Sequence, residues 1–335
     1  MRAPMATVTD HPIDVRVAEP SDRRAVLDLL GASLGLSVDE RFDSFFSWKH
    51  EHNPFGPSPG WVAVDDGAVV GFRTFMRWQH ETPAGTVLSA VRAVDTATRP
   101  SHQGRGIFRR LTLHALDDLR AQGVAFVFNT PNAQSRPGYL KMGWREVGRL
   151  GVSARPASPM AMVRMARARV PADIWSVPTD RGRQAADVLA ERGIPELLRS
   201  IAGAPGLCTH YTQGYLRWRY AFGPLGYRAV TLGDDVREGV GVFRLRRRGP
   251  AVECVLCDVL VPAGNGGAHR ALVRAVARQC GADYVIRLSR QPVDRAGFVR
   301  APGQGPTLTW YPLAPATPGE RLEDWALTLG DVELF

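Results

Sequence analysis

Residues 96–108 read TATRPSHQGRGIF and stand directly before an amphipathic helical pattern. Gly104 and Gly106 let the backbone approach a ligand closely, and the N–H groups that open the helix converge on one point. That arrangement favours an anion, phosphate above all. Arg105, Arg109 and Arg110 add positive charge beside it. No Lys-Ser/Thr pair follows the glycines as in a P-loop, and the dinucleotide glycine fingerprint is missing. A glycine-rich turn that only caps its helix is the alternative reading. A second cluster, NAQSRPGYLKMGW at 132–144, brings a carboxamide (Asn132) and a phenol (Tyr139) ahead of the Gly143-Trp144 pair. Candidates for acid–base work are Asp95, at the end of the strand entering the glycine loop, and His210, with His80 and His102 behind them. His50 and His52 adjoin a tryptophan motif and read as structural.

The two clusters together resemble the GCN5-related N-acetyltransferase (GNAT) superfamily. Its motif, Gln/Arg-x-x-Gly-x-Gly/Ala after a strand, is filled by Gln103, Gly104, Arg105, Gly106, Ile107 and Phe108, with Phe108 where that superfamily prefers a small residue. Its downstream Asn, Tyr and Gly-aromatic pair match Asn132, Tyr139 and Gly143-Trp144. The resemblance covers about residues 15–150. It implies that the pyrophosphate of an acyl-CoA sits on the amides of Gln103–Phe108 at the positive end of the helix. It also implies that the pantetheine arm pairs with the backbone of Thr96, Ala97 and Thr98, with Asn132 holding it. Backbone amides near Thr96 and Ala97 would stabilise the oxyanion, and the Tyr139 hydroxyl would protonate the departing thiolate. The cosubstrate implied is acetyl-CoA or a longer acyl-CoA, with no metal. The acceptor expected is a primary amine of a small molecule, such as an aminosugar or an antibiotic or other natural-product intermediate. A protein acceptor and a non-catalytic acyl-CoA-binding module are the alternatives.

The elements that must position these groups are legible in the apolar patterning. Val15–Ala18 reads as a strand, after which Ser21 caps a helix. Trp61–Val64, Ala68–Arg77 and Thr86–Ala97 read as strands, with a hairpin turn at Asp65-Asp66-Gly67. Ile107–Gln122 carries Ile107, Leu111, Ala115 and Leu119 on one stripe, and Val124–Phe128 is the continuous apolar run of a doubly covered strand. A short helix near Gly138–Met142 and a strand after Trp144 follow, and 155–177 reads as a connection. At a constant offset of 170 residues Trp48 meets Trp218, Pro54 meets Pro224, Gly56 meets Gly226, Asp65 meets Asp235 and Gly71 meets Gly241. The strand–loop–helix–strand order then recurs at Val255–Val261, Gly264–Gly267, Ala268–Arg278 and Asp283–Leu288.

The expected fold is therefore α/β with mixed sheets, as two tandem GNAT-like domains over 1–155 and 156–335. The second copy is degenerate: its loop reads VPAGNGGAHR, and Gly297-Phe298 aligns with Gly138-Tyr139. It would support the catalytic copy and help form the acceptor cleft, an arrangement that resembles mycothiol synthase and some aminosugar acyltransferases. Arg244–Arg248 reads as a solvated hairpin turn.

Composition excludes little beyond this. The 335 residues are 44% apolar, and 42 basic against 33 acidic residues give a net charge of +9. Only Lys49 and Lys141 are lysines, an arginine bias that speaks of coding before binding. Arginines spread through both halves without a basic tract argue against nucleic acid. No apolar run approaches a membrane helix, and no signal-like core opens the chain. The cysteines, Cys208, Cys254, Cys257 and Cys280, suit a reducing cytoplasm, and Cys254-x-x-Cys257 on a strand faces two ways. The chain is expected to work as a monomer or homodimer.

Overall fold

The computed structural model describes residues 13–35, 37–201, 203–289 and 293–333. The chain builds two mixed sheets, as expected. The first sheet takes β1 (Asp14–Val17), β2 (Gly60–Asp65), β3 (Ala68–Glu81), β4 (Val87–Thr98), β5 (Phe126–Asn129) and β6 (Arg145–Arg149). The second takes β7 (Val152–Pro156), β8 (Arg183–Gln184), β10 (Arg228–Thr231), β11 (Val240–Arg248), β12 (Ala251–Leu260), β13 (Tyr284–Leu288) and β14 (Val299–Arg300). Two short strands of the second half, β9 (Cys208–Thr209) and β15 (Thr307–Pro312), complete the first sheet. Its order is β1-β2-β3-β4-β5-β15-β6, with β9 on the edge of β3; the second runs β14-β7-β13-β12-β11-β10-β8. The expected division near residue 155 is thus crossed by exchanged strands, β7 pairing with β13 and β15 lying between β5 and β6.

Helix α1 (Arg23–Leu34) and α2 (Glu40–His50) lie on one face of the first sheet, and α3 (Ile107–Ala121) and α4 (Arg136–Lys141) on the other. The stripe expected on α3 is what packs: Ile107, Leu111, Ala115 and Leu119 are all buried. Gly71 makes that packing possible, because a Cβ there would stand 2.5 Å from Ile107 Cγ2. The hairpin turn forms as read, with Asp66 and Gly67 both at positive φ. In the second half α5 (Pro159–Arg167), α6 (Ala185–Leu189), α7 (Ile194–Ser200) and α8 (Gln213–Ala221) precede the long α9 (Gly266–Gln279), and α10 (Leu329–Val332) ends the described chain. No helix among the described residues is long and apolar enough to cross a membrane.

Three local readings need correction. Ser21 does not cap α1: it lies in a 3-10 turn over Pro20–Asp22, drawn tight because the Asp22 carboxylate accepts from Glu19 N at 2.8 Å and pairs with Arg16. The segment 155–177 contains α5, started by Ser158, whose hydroxyl accepts from Ala161 N, with Pro159 in the first turn. Arg244–Arg248 is no solvated turn but the end of β11, with Arg244 fully buried and Arg246 donating to Glu253 at 2.6 Å. Alternation on the strand turns Arg244 and Arg246 to the inner face, where two carboxylates receive them. The same alternation turns Cys254 toward α9 and Cys257 toward the inner core.

The repeat is visible as packing. Trp48 Nε1 donates to Trp218 O and Trp218 Nε1 to Trp48 O, each at 2.7 Å, with the rings stacked 5.2 Å apart. Helix α2 thus meets its own duplicate, α8, across a local two-fold. Gly241 repeats the part played by Gly71, since a Cβ there would stand 3.1 Å from Val276 Cγ2 of α9.

Candidate active site

β4 and β5 run parallel and pair only at Ala90–Phe126, Val91–Val127 and Arg92–Phe128. β5 then ends at Asn129, while β4 continues to Thr98 paired with β3 alone. The strands splay, and the backbone of β4 toward Thr96, Ala97 and Thr98 has no strand on its β5 side among the described residues. Gly104 and Gly106 close the loop at φ +78° and +73°, and a Cβ at either would meet nothing within 4 Å. Their value is conformation: they turn successive amides to one side. Gly106 is the N-cap of α3 and offers no side chain to its amides, so the helix start is left open. Around the loop Arg105 Nη1 donates to Asp65 at 2.8 Å, His102 Nε2 lies 3.1 Å from the same carboxylate, and Arg110 holds Ile13 O. Gln103 sits on the exposed rim. An open helix start, a glycine nest and an unpaired strand edge fit a ligand carrying phosphates at one end and amides along an arm.

Asp95 sits where β4 departs from regular pairing. Arg73 pairs with Thr96 and Thr74 with Val94, so Asp95 is the extra residue of a bulge, with φ at +28°. Lys49 Nζ and His50 Nε2, both on α2, reach its Oδ2 at 2.8 and 2.7 Å. Burial would raise this carboxyl, but Lys49 and His50 hold it well below the ordinary carboxylate range. Burial in turn lowers His50, so its neutral ring donates from Nε2 to the carboxylate. Its Nδ1 is buried without a hydrogen-bond partner among the described residues.

Tyr139 and Asn132 both lie in the segment between β5 and β6. Tyr139 on α4 is buried against Trp144 and Phe108, ring centres 5.2 and 5.3 Å away. The Asn132 oxygen accepts from Gln134 N, Ser135 N and Ser135 Oγ, which leaves its NH2 to turn toward a ligand. Other candidates lie elsewhere. His210 bonds Glu81 at 2.9 Å where β9 meets β3. That is eight residues along β3 from Arg73, roughly 25 Å, so His210 is not brought to Asp95. His80 is wholly buried among Phe126, Phe128 and Trp325, and burial lowers its pKa to about 3. It is a neutral core imidazole.

Sequence reading missed Lys49, His50 and Arg73. Lys49 carried a signal, as one of two lysines in a chain that uses arginine everywhere else. His50 was visible only as a neighbour of Trp48, because nothing in the sequence shows that α2 packs on the bulge.

Residues 14–147 match the family model described as an acetyltransferase (GNAT) domain. Acyl transfer from acetyl-CoA is the chemistry of its members. Solved structures extend the likeness to both halves. A GCN5-related N-acetyltransferase from Anabaena variabilis aligns with a TM-score of 0.61 at 13% identity, over 90% of this chain and 73% of that one. One from Kribbella flavida gives 0.60 at 16%, over 89% and 71%. Eis1 from Mycobacterium abscessus gives 0.58 at 15%, over 90% and 74%. At such identities the likeness concerns the fold. No curated protein matches the chain in sequence.

Proposed function

We propose that the first half transfers an acetyl or longer acyl group from acyl-CoA to the primary amine of a small molecule. The observation that carries this reading is the uncapped start of α3 behind Gly104 and Gly106, set beside the splay of β4 from β5. The CoA pyrophosphate rests on amides from Gln103 to Phe108, including Arg105 and Ile107. The pantetheine arm pairs along Thr96, Ala97 and Thr98, with the Asn132 amide as donor. The acyl carbonyl oxygen points at amides freed by the bulge, which stabilise negative charge as the amine adds. The C–N bond forms, the C–S bond breaks, and the Tyr139 proton moves to sulfur while the amine proton leaves to water. A carboxylate held as Asp95 is held is a poor base, so its part is to fix the bulge and orient the amine. His210 takes no part.

A small acceptor is favoured because the second half packs against the first: α8 stacks on α2, and β9 extends the sheet at β3. The test is thiol release from acetyl-, octanoyl- and decanoyl-CoA with glucosamine, putrescine, tyramine and a lysine-containing peptide. Turnover with at least one small amine and preference over the peptide are expected. CoA binding without turnover of any amine would overturn the proposal in favour of a binding module.

A further inference from the structure

Arg73 is the least expected residue near the cleft. It lies mid-strand in β3 with no exposed surface, and Nε, Nη1 and Nη2 all lack a hydrogen-bond partner among the described residues. Its Cζ stands 4.4 Å from the ring centre of Phe75, 5.3 Å from that of Tyr139 and 5.7 Å from that of Phe108. A guanidinium buried against three aromatic faces with no acceptor is costly, since ring quadrupoles return only part of its lost hydration. The fold does not need it. At the same offset of 170 the second half places Phe243, buried in one apolar cluster with Phe298, the residue aligned with Tyr139. Where the tyrosine is kept the arginine is kept, and where one is phenylalanine so is the other.

We infer that Arg73 is a positioning residue that acts through Tyr139, stabilising the negative charge its oxygen acquires on giving a proton to the departing thiolate. This rests on the proposed role of Tyr139. In that step the C–S electron pair goes to sulfur, the phenolic proton follows it, and the phenolate is later reprotonated by water. A fixed cation in a water-poor site favours that charge without any reorganisation at the moment of reaction. Phe108 serves the pair: it covers Arg73 from the loop side and meets Tyr139 edge-on, 90° between ring planes, which gives the bulky residue in the glycine motif a purpose.

The experiment compares Arg73→Met, Arg73→Lys and Tyr139→Phe, with the double variant of Met and Phe, by kcat, KM for acetyl-CoA and Tm. Arg73→Met should lower kcat about 10- to 100-fold with KM for acetyl-CoA unchanged. Its Tm should be equal or higher, because an unpaired buried charge has gone. Arg73→Lys should recover part of kcat, and on the Tyr139→Phe background Arg73→Met should cost nothing further. Full kcat in Arg73→Met, an undiminished loss on the Phe background, or a Tm that falls with kcat would each overturn the inference. Unchanged kcat in Tyr139→Phe would overturn the role of Tyr139, and Arg73's with it. A slow Tyr139→Phe beside a fully active Arg73→Met would overturn Arg73's alone.

Discussion

The two halves share a strand–loop–helix–strand plan and differ in what they leave unsatisfied. In the first half α3 begins at a bare glycine, its bulge residue is a carboxylate, and its α3-side core holds an arginine and a tyrosine. In the second, Asn265 Oδ1 already accepts from Ala268 N at 2.9 Å, so α9 caps itself. The bulge residue there is the buried Cys257, and Phe243 and Phe298 fill the core. A cavity of about 660 Å³ survives at the start of α9, but the ion pair of Arg287 with Asp294 lies in its wall and Arg287 stacks on Phe298. A fold that can satisfy every one of these positions by itself does so in one copy only. The open helix start and the unpartnered Arg73 of the other are the groups that the proposed reaction would use.

The largest effect expected from breaking this contrast is at the bulge. Asp95→Asn takes from the buried Lys49, its side chain 3% exposed, the carboxylate 2.8 Å from its Nζ, and should cost about 3 kcal/mol of stability together with at least tenfold in kcat. Denaturant melts and initial rates measure both. Since the Asp95 carboxyl is held below its unfolded value, its contribution is complete above about pH 4 and is lost as pH falls through the lower folded value. The gap between wild type and variant should therefore be flat near neutrality and close in strong acid. Cys257→Ala at the second bulge should cost about 1 kcal/mol and leave kcat alone. Equal kinetic losses at both bulges would break the comparison.

Much of the contrast was legible before the structure. The repeat at constant offset, the glycine loop, the Tyr139-to-Phe298 change and the order of strands all lie in local patterns that sequence carries. What was not legible depends on contacts between distant segments. Asp95 reads as a base until α2 brings Lys49 and His50 onto it from some 45 residues away in sequence. His210 reads as a site residue until β9 pairs at the far end of β3. Arg244 reads as solvated because a run of arginines before a glycine looks like a turn, while the partners that bury it, Glu333 and the carbonyl of Ile174, lie far away in sequence. The strand exchange is hidden for the same reason: β7 and β15 are ordinary strands whose partners lie well over a hundred residues away.

A smaller effect separates the two glycine loops. Gly106→Ala puts a side chain on a residue at φ +73°, a strain of about 1–2 kcal/mol. If the bound state needs that conformation, affinity for CoA should fall about tenfold, read by calorimetry, with kcat at saturation little changed. Gly264→Ala, at the same φ of +73° in the second loop, should carry the same strain as lost stability and leave CoA affinity untouched. A loss of CoA affinity from Gly264→Ala would mean that the second copy holds the ligand.

The smallest effect is the most discriminating, because it tries to open the silent copy. Asn265→Ala removes the side chain that caps α9 and should cost about 1 kcal/mol, freeing the Ala268 amide. If a bare helix start were all that acyl-CoA requires, the variant would bind a second equivalent. The prediction is that stoichiometry stays at one, because Arg287 and Asp294 still occupy the cleft wall and the equivalent core positions, Phe243 and Phe298, hold no arginine or tyrosine. A second equivalent in Asn265→Ala would show that self-capping alone silences the copy.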